Sequence, residues 1–87
     1  MTYKIIVPKA VQRKLDALPN EVYERISIKI QQLANNPRPD GVVKLKGAVS
    51  EYRIRVGDYR VRYEIDDQVL IILLLQCRHR RDVYKER

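Results

Sequence analysis

The spacing of apolar positions changes several times along the chain, and each change marks an element. Tyr3 to Val7 (YKIIV) is a short β-rich run closed by Pro8, which predicts a first strand. From Lys9 the period becomes helical, with Val11, Leu15 and Leu18 at i, i+4 and i+7 and Gln12, Arg13 and Asp16 on the wet side. Pro19 breaks or restarts the helix, because its ring fits a first turn and not an interior. Asn20 is the expected cap, and Glu21 and Glu24 sit near the positive end of the new helix dipole. The second helix, Pro19 to Asn35, carries Val22, Ile26, Ile30 and Leu33 on one face, with Tyr23 and Ile28 widening the stripe. Asn35-Asn36-Pro37 should end it, by a left-handed Asn and a Pro that cannot continue.

Beyond the helices the period becomes two. In Glu51 to Ile65 (EYRIRVGDYRVRYEI), Tyr52, Ile54 and Val56 alternate with Glu51, Arg53 and Arg55. The return run sets Tyr59, Val61, Tyr63 and Ile65 against Arg60, Arg62 and Glu64. Gly57-Asp58 suits a two-residue type II′ turn, which wants Gly first. That turn places Arg55 opposite Arg60, Arg53 opposite Arg62, Ile54 opposite Val61 and Tyr52 opposite Tyr63. Alternation and turn chemistry agree on this register. Upstream, Asn36 to Ser50 reads as a loop in which Val43-Lys44-Leu45-Lys46 alternates and pairs briefly with the sheet.

Downstream, Val69 to Cys77 is apolar on both faces, as a central strand is. A three-residue loop (Asp66, Asp67, Gln68) would set Val61 against Leu73 and Tyr59 against Leu75. It would also turn Gln76 and Arg78 toward the arginine face; a two-residue loop would drive Arg78 into the core, so an odd loop is expected. The predicted fold is α+β: an N-terminal strand, an α-helical hairpin and a three-stranded antiparallel β-meander. Its helices pack on one face of the sheet, and a short basic tail or helix, Arg78 to Arg87, completes the chain. Residues 1–87 form a single domain.

Charge changes this picture from a scaffold to a surface with a purpose. Lys and Arg outnumber Asp and Glu by 18 to 11, a formal net charge of +7, which predicts attraction to polyanions. The hairpin concentrates that excess. Like charges directly opposite each other cost roughly 0.2–1 kcal/mol per pair, and a merely solvated face would mix signs. Four facing arginines therefore read better as an anion-binding platform. Lys44 and Lys46, if they point the same way, extend it; two solvated loop lysines are the plainer alternative. Cys77 is the only cysteine and His79 the only histidine, so neither a disulfide framework nor a metal cluster is expected, and no cofactor. The start MTYKIIVPK does not read as a signal peptide and VLIILLL is too short to span a bilayer, so a cytoplasmic protein without membrane contact is expected.

Arginine binds phosphate through a planar fork and stabilises charge that grows on phosphorus. Arginine and tyrosine planes also stack on unpaired bases. RNA carries its own nucleophile, the 2′-hydroxyl. A protein that splays the RNA backbone into line and neutralises the phosphate can therefore cut it without a metal.

KLKG (Lys44 to Gly47), YRIRVGDYRVRYEI (Tyr52 to Ile65) and CRHRRDVY (Cys77 to Tyr84), in this order of elements, resemble the RelE/ParE superfamily of toxins from type II toxin–antitoxin systems. The resemblance covers nearly the whole chain. In the RelE branch it implies a ribosome-dependent endonuclease that cuts mRNA in the A site by 2′-hydroxyl attack and so inhibits translation. The catalytic positions it implies are Arg53 and Arg55, Arg60, Arg78 and Tyr84. Period-two alternation by itself places Arg53, Arg55 and Arg60 on one face, and Arg78 with them if the loop is odd; Tyr84 comes from the resemblance alone, with an aromatic staple for the tail as its plainer role. Family members often carry lysines where this chain has Arg53 and Arg55. A guanidinium does not deprotonate, so these two fit phosphate binding and transition-state charge. Proton transfer is left between Tyr84 and His79. Arg62, Arg80, Arg81, Lys44 and Lys46 are the expected RNA contacts. The implied partners are a RelB-like antitoxin, the ribosome with its mRNA, and operator DNA only through the antitoxin complex. Two other readings are open: a ParE-like DNA gyrase inhibitor without nuclease activity, and a basic binding module with no activity.

Overall fold

Each helix is launched by a proline. In the computed structural model, which describes residues 2–45 and 50–81, Pro8 and Pro19 occupy the N-cap positions of α1 (Lys9–Asp16) and α2 (Asn20–Asn35). Their carbonyls accept the first helical hydrogen bonds, from Gln12 and Tyr23. Asn20 is thus the first helical residue and not the cap, because the extended backbone of Pro19 (ψ 148°) already provides the half-in geometry that a cap requires. At the other end Asn36 is extended (φ −144°) and not left-handed, since the chain leaves straight into Pro37.

The strands are β1 (Lys4–Ile6), β2 (Val43–Lys44), β3 (Glu51–Val56), β4 (Tyr59–Asp66) and β5 (Ile71–His79). They form one five-stranded sheet in the order β1-β5-β4-β3-β2. The meander β3-β4-β5 is antiparallel, and β1 adds to its far side parallel to β5. Both helices cover one face. Val11 and Leu15 of α1 and Ile26, Ile30 and Leu33 of α2 pack with Tyr52, Ile54, Val61, Tyr63, Ile65, Ile72, Leu74 and Cys77 of the sheet. This is the expected α+β architecture, with two strands joined to the meander's edges. Ile28, placed on the flank of the apolar stripe by its spacing, is 57% exposed and lies outside the core.

The β3–β4 register is the expected one throughout, from Glu51 opposite Glu64 to Val56 opposite Tyr59. Gly57 has φ +60°, and Leu70 is the only described non-glycine with positive φ, so Asp58 is not left-handed, as a type II′ turn requires.

The β4–β5 register differs from expectation. Val61 faces Cys77 and Tyr59 faces His79, not Leu73 and Leu75. The connecting turn has four residues, 67–70, because Asp66 Oδ1 accepts the backbone N–H groups of Gln68 and Val69 and draws them into an Asx-type turn. Leu70 closes it with φ 56°. Near the turn Ile65 therefore faces Ile72 and Tyr63 faces Leu74, which makes Ile72 and Leu74 core residues in place of Leu73. Between Tyr63 and Arg62 the register slips by one, leaving Leu75 as the extra residue of a bulge. The slip reverses the faces of the rest of β5. Cys77 turns inward, and Gln76 and Arg78 turn to the arginine side despite the even-length turn.

Candidate nucleic-acid interface

The face opposite the helices is built in ranks that run across the strands. Residues directly opposite share a face, so Arg55 of β3, Arg60 of β4 and Arg78 of β5 form one rank. Arg53, Arg62 and Gln76 form the next, and Glu51, Glu64 and Leu73 the one after. Charge along this face therefore runs from strongly positive at the hairpin tip to acidic beyond the middle.

A concavity of about 210 Å³ opens between the first two ranks, lined by Leu45, Arg53, Arg60, Arg62, Gln76 and Arg78. A smaller one of about 110 Å³ lies at the tip between Arg55, Asp58, Tyr59, Arg60 and Arg80. Arg55 is exposed, and its Nε donates to the Gly57 carbonyl at 2.9 Å, which folds the side chain along the turn. Arg80 continues the ladder past β5: its N–H donates to Asp58 O at 2.7 Å, while its guanidinium lies 3.9 Å from the Asp58 carboxylate. Arg62 is anchored to its neighbours, with Nη2 2.6 Å from Glu51 Oε1 and Nη1 3.4 Å from Gln76 Oε1.

The structure thus brings Arg53, Arg55, Arg60, Arg62, Arg78 and Arg80 to one end of one face. Two other candidates stand elsewhere. His79 pairs with Tyr59, on the helix side of the sheet; the rings meet edge to face at 5.0 Å, and His79 Nδ1 accepts the Arg81 N–H at 3.1 Å. Lys44 lies opposite Tyr52, so it too belongs to the helix side, and it is Leu45 that reaches the cleft. Lys44 does not add to the arginine face, because the alternation is one residue out of phase with that expectation. Arg81 is exposed beyond the strand end. Lys46 and Tyr84 lie outside the described residues.

Stacking on bases by Tyr52 and Tyr63 of the hairpin is ruled out by their burial. Both are core residues whose rings stack at 6.1 Å, and Tyr63 donates its hydroxyl to Pro37 O at 2.8 Å. Burial pushes the Tyr63 hydroxyl up to about 12, so it remains a donor at any working pH. Cys77 is likewise buried, which raises its thiol above the ordinary range and leaves it unreactive. The residues at this site that sequence reasoning passed over are Leu45 and Glu51. Glu51 shares the period of Arg53 and Arg55, which was the available signal; nothing in the loop sequence marked Leu45.

A family model for the ParE toxin of the type II toxin–antitoxin system parDE matches residues 5–84. The chain is 32% identical over 77 residues to the putative toxin RelE1 of Methanocaldococcus jannaschii, covering 83% of this chain and 86% of that protein. Among solved structures it is similar to the archaeal RelE–RelB complex from Pyrococcus horikoshii OT3, with a TM-score of 0.83, 34% identity, and 92% and 97% of the two chains covered. The isolated E. coli RelE toxin shares the fold, with a TM-score of 0.79 at 23% identity over 97% and 93% of the chains.

Proposed function

The chain belongs to the RelE/ParE superfamily of toxins from type II toxin–antitoxin systems, and from that premise we propose that it is a RelE-like endoribonuclease that cuts mRNA on the ribosome. The observation that carries the proposal is the rank Arg55–Arg60–Arg78 above the Arg53-lined cleft, on a sheet face that no helix covers among the described residues. Three guanidinium-bearing positions set side by side across three strands concentrate positive charge that attracts an anion, and the concave centre suits a phosphate.

In the proposed reaction the ribose 2′-oxygen attacks the adjacent phosphorus in line. The bond to the 5′-oxygen of the next nucleotide breaks, leaving a 2′,3′-cyclic phosphate and a 5′-hydroxyl. One proton leaves the 2′-hydroxyl and one reaches the departing 5′-oxygen. Arg60 and Arg78, on neighbouring strands, fit the non-bridging oxygens, whose charge grows in the transition state. Arg53 from the cleft wall and Arg55 from the tip position the flanking backbone, with Arg80 and Arg81 as outer contacts. No arginine serves as the base. Proton transfer goes to Tyr84, the position that the family resemblance implies; His79 lies on the other face of the sheet with its Nδ1 engaged by a backbone N–H. The charge at the site is supplied by guanidinium groups, so the scheme requires no cofactor.

The chain is proposed to act in the cytoplasm, where the ribosome presents the message, and to be held inactive by a RelB-like antitoxin. The Pyrococcus relative is a RelE–RelB complex, which supports such a partner. Binding to operator DNA would come through the antitoxin. Primer extension on total RNA after induction tests the proposal. Cleavage at positions set by ribosome occupancy is expected, with rapid arrest of translation. Double-strand DNA breaks with intact mRNA would overturn it in favour of gyrase inhibition.

A further inference from the structure

Within the second rank, Arg62 is committed before any ligand arrives. Its Nη2 donates to Glu51 Oε1 at 2.6 Å, its Nη1 to Gln76 Oε1 at 3.4 Å, and the Glu51 side chain is only 26% exposed. A guanidinium offers donors and no acceptor. Gln76 can therefore turn only its carbonyl oxygen toward Arg62, and its amide is held in one of its two orientations. What remains for the cleft is the Gln76 NH₂ group, a donor, beside the guanidiniums of Arg53, Arg60 and Arg78 and the apolar side chain of Leu45. At about 210 Å³ the cleft falls below the roughly 300–1,000 Å³ of drug-sized pockets, which suits one planar ring.

Resting on the reading of this face as an RNA-cleaving site, we propose that Glu51, Arg62 and Gln76 form a base-reading relay. Gln76 determines specificity by donating to the O6 of guanine or the O4 of uracil in a nucleobase beside the scissile phosphate. Glu51 and Arg62 are positioning residues that hold its amide, and Leu45 covers one face of the ring. A glutamine that presents both amide ends pairs with adenine through N6 and N7. One whose oxygen is turned to Arg62 points its NH₂ group, and not its oxygen, into the cleft, where it meets a keto oxygen well and an amino group badly. The cleft therefore favours the keto base of each size class: guanine over adenine, and uracil over cytosine.

Single-turnover cleavage on purified ribosomes tests this, with messages that differ at one A-site nucleotide in guanine–adenine and uracil–cytosine pairs. At one position the wild-type chain should cut the keto message faster, by about twofold to tenfold, the span expected for one hydrogen bond to the base. Gln76→Leu should bring that ratio near one while cleavage continues. Gln76→Glu, which offers only acceptors, should turn the ratio toward the amino bases whatever its effect on overall rate. Glu51→Ala, which releases Arg62, should lower the ratio without inverting it. Equal wild-type rates within both pairs at every position would overturn the relay, as would a Gln76→Leu variant that keeps the wild-type ratio. Wild-type protein that cuts no message at all would overturn the nuclease reading and the relay together, a failure distinct from cleavage without base preference.

Discussion

The two ends of the sheet use arginine in opposite ways. At the turn end, Arg38 lies against Asp67 with Nη1 and Nη2 at 3.3 and 2.8 Å from its two oxygens, donates from Nε to Tyr52 Oη at 3.1 Å, and sits 5.2 Å over the Tyr52 ring. Tyr3 donates its hydroxyl to the same carboxylate at 2.6 Å. This arginine ties the segment after α2, β3 and the β4–β5 turn into one piece. At the hairpin end, Arg55, Arg60 and Arg78 stand opposite one another across three strands. Asp67 meets Arg38 in a bidentate fork, whereas Asp58 reaches Arg80 only at 3.9 Å. An arginine given a carboxylate and a ring is a staple, whereas the rank at the hairpin end gathers positive charge on one face of the sheet.

The largest expected effect breaks the hairpin end alone. Arg60→Ala or Arg78→Ala should each lower mRNA cleavage by about 10²–10³-fold, the cost of removing one transition-state donor. Growth should recover on induction, and the thermal midpoint should stay close to wild type. Full toxicity in both variants, at wild-type abundance, would remove this face from the reaction.

Arg38→Ala should do the reverse. It removes charge-assisted hydrogen bonds at a partly exposed site and should cost about 1–2 kcal/mol in urea unfolding, with cleavage per folded molecule unchanged. A smaller effect is expected at the tip. Arg55→Thr removes one facing like-charge pair and should stabilise the fold by roughly 0.2–1 kcal/mol, a gain that shrinks as salt is added, while RNA cleavage weakens. Unchanged stability at low salt would show that the facing guanidiniums are already screened.

The smallest effect is acid-dependent. The Arg38 guanidinium, and then the Tyr3 hydroxyl, hold the Asp67 carboxyl below its ordinary value. A carboxyl depressed in the folded state binds fewer protons there than in the unfolded chain, so its contribution is present above the unfolded value of about 3.9. That contribution disappears as pH falls through the lowered folded value. Asp67→Asn should flatten thermal stability against pH in that acid window and leave its shape at neutral pH unchanged. A wild-type curve already flat there would mean that the fork is solvated away.

Much of this was legible from the chain because it is local. Alternation through Tyr52–Val56 and Tyr59–Ile65, joined by Gly57-Asp58, leaves one register that buries the tyrosines and aliphatics together, and that register puts Arg53, Arg55, Arg60 and Arg62 on one face. The helices were equally plain, since Val11 and Leu15, and Ile26, Ile30 and Leu33, have no other buried arrangement. The Asn20 cap failed because the proline before it already supplied the geometry, and Lys44 because a two-residue edge strand gives alternation too little length to fix a phase.

The sequence by itself determined the hairpin, its arginine face and the helical cover of the other face, because turn geometry and period-two alternation act between neighbouring residues. Only the tertiary structure decided how Arg78 joins that face. Val69 to Leu75 is apolar at every position, so its pattern carries no phase, and either face of it can be buried. Asp66 draws Gln68 and Val69 into a four-residue turn, burial of Ile72 and Leu74 fixes the near half of β5, and the bulge at Leu75 reverses the far half. Those constraints come from contacts across the ladder and from the helix above it, and they set Arg78 beside Arg60 and Gln76 beside Arg62.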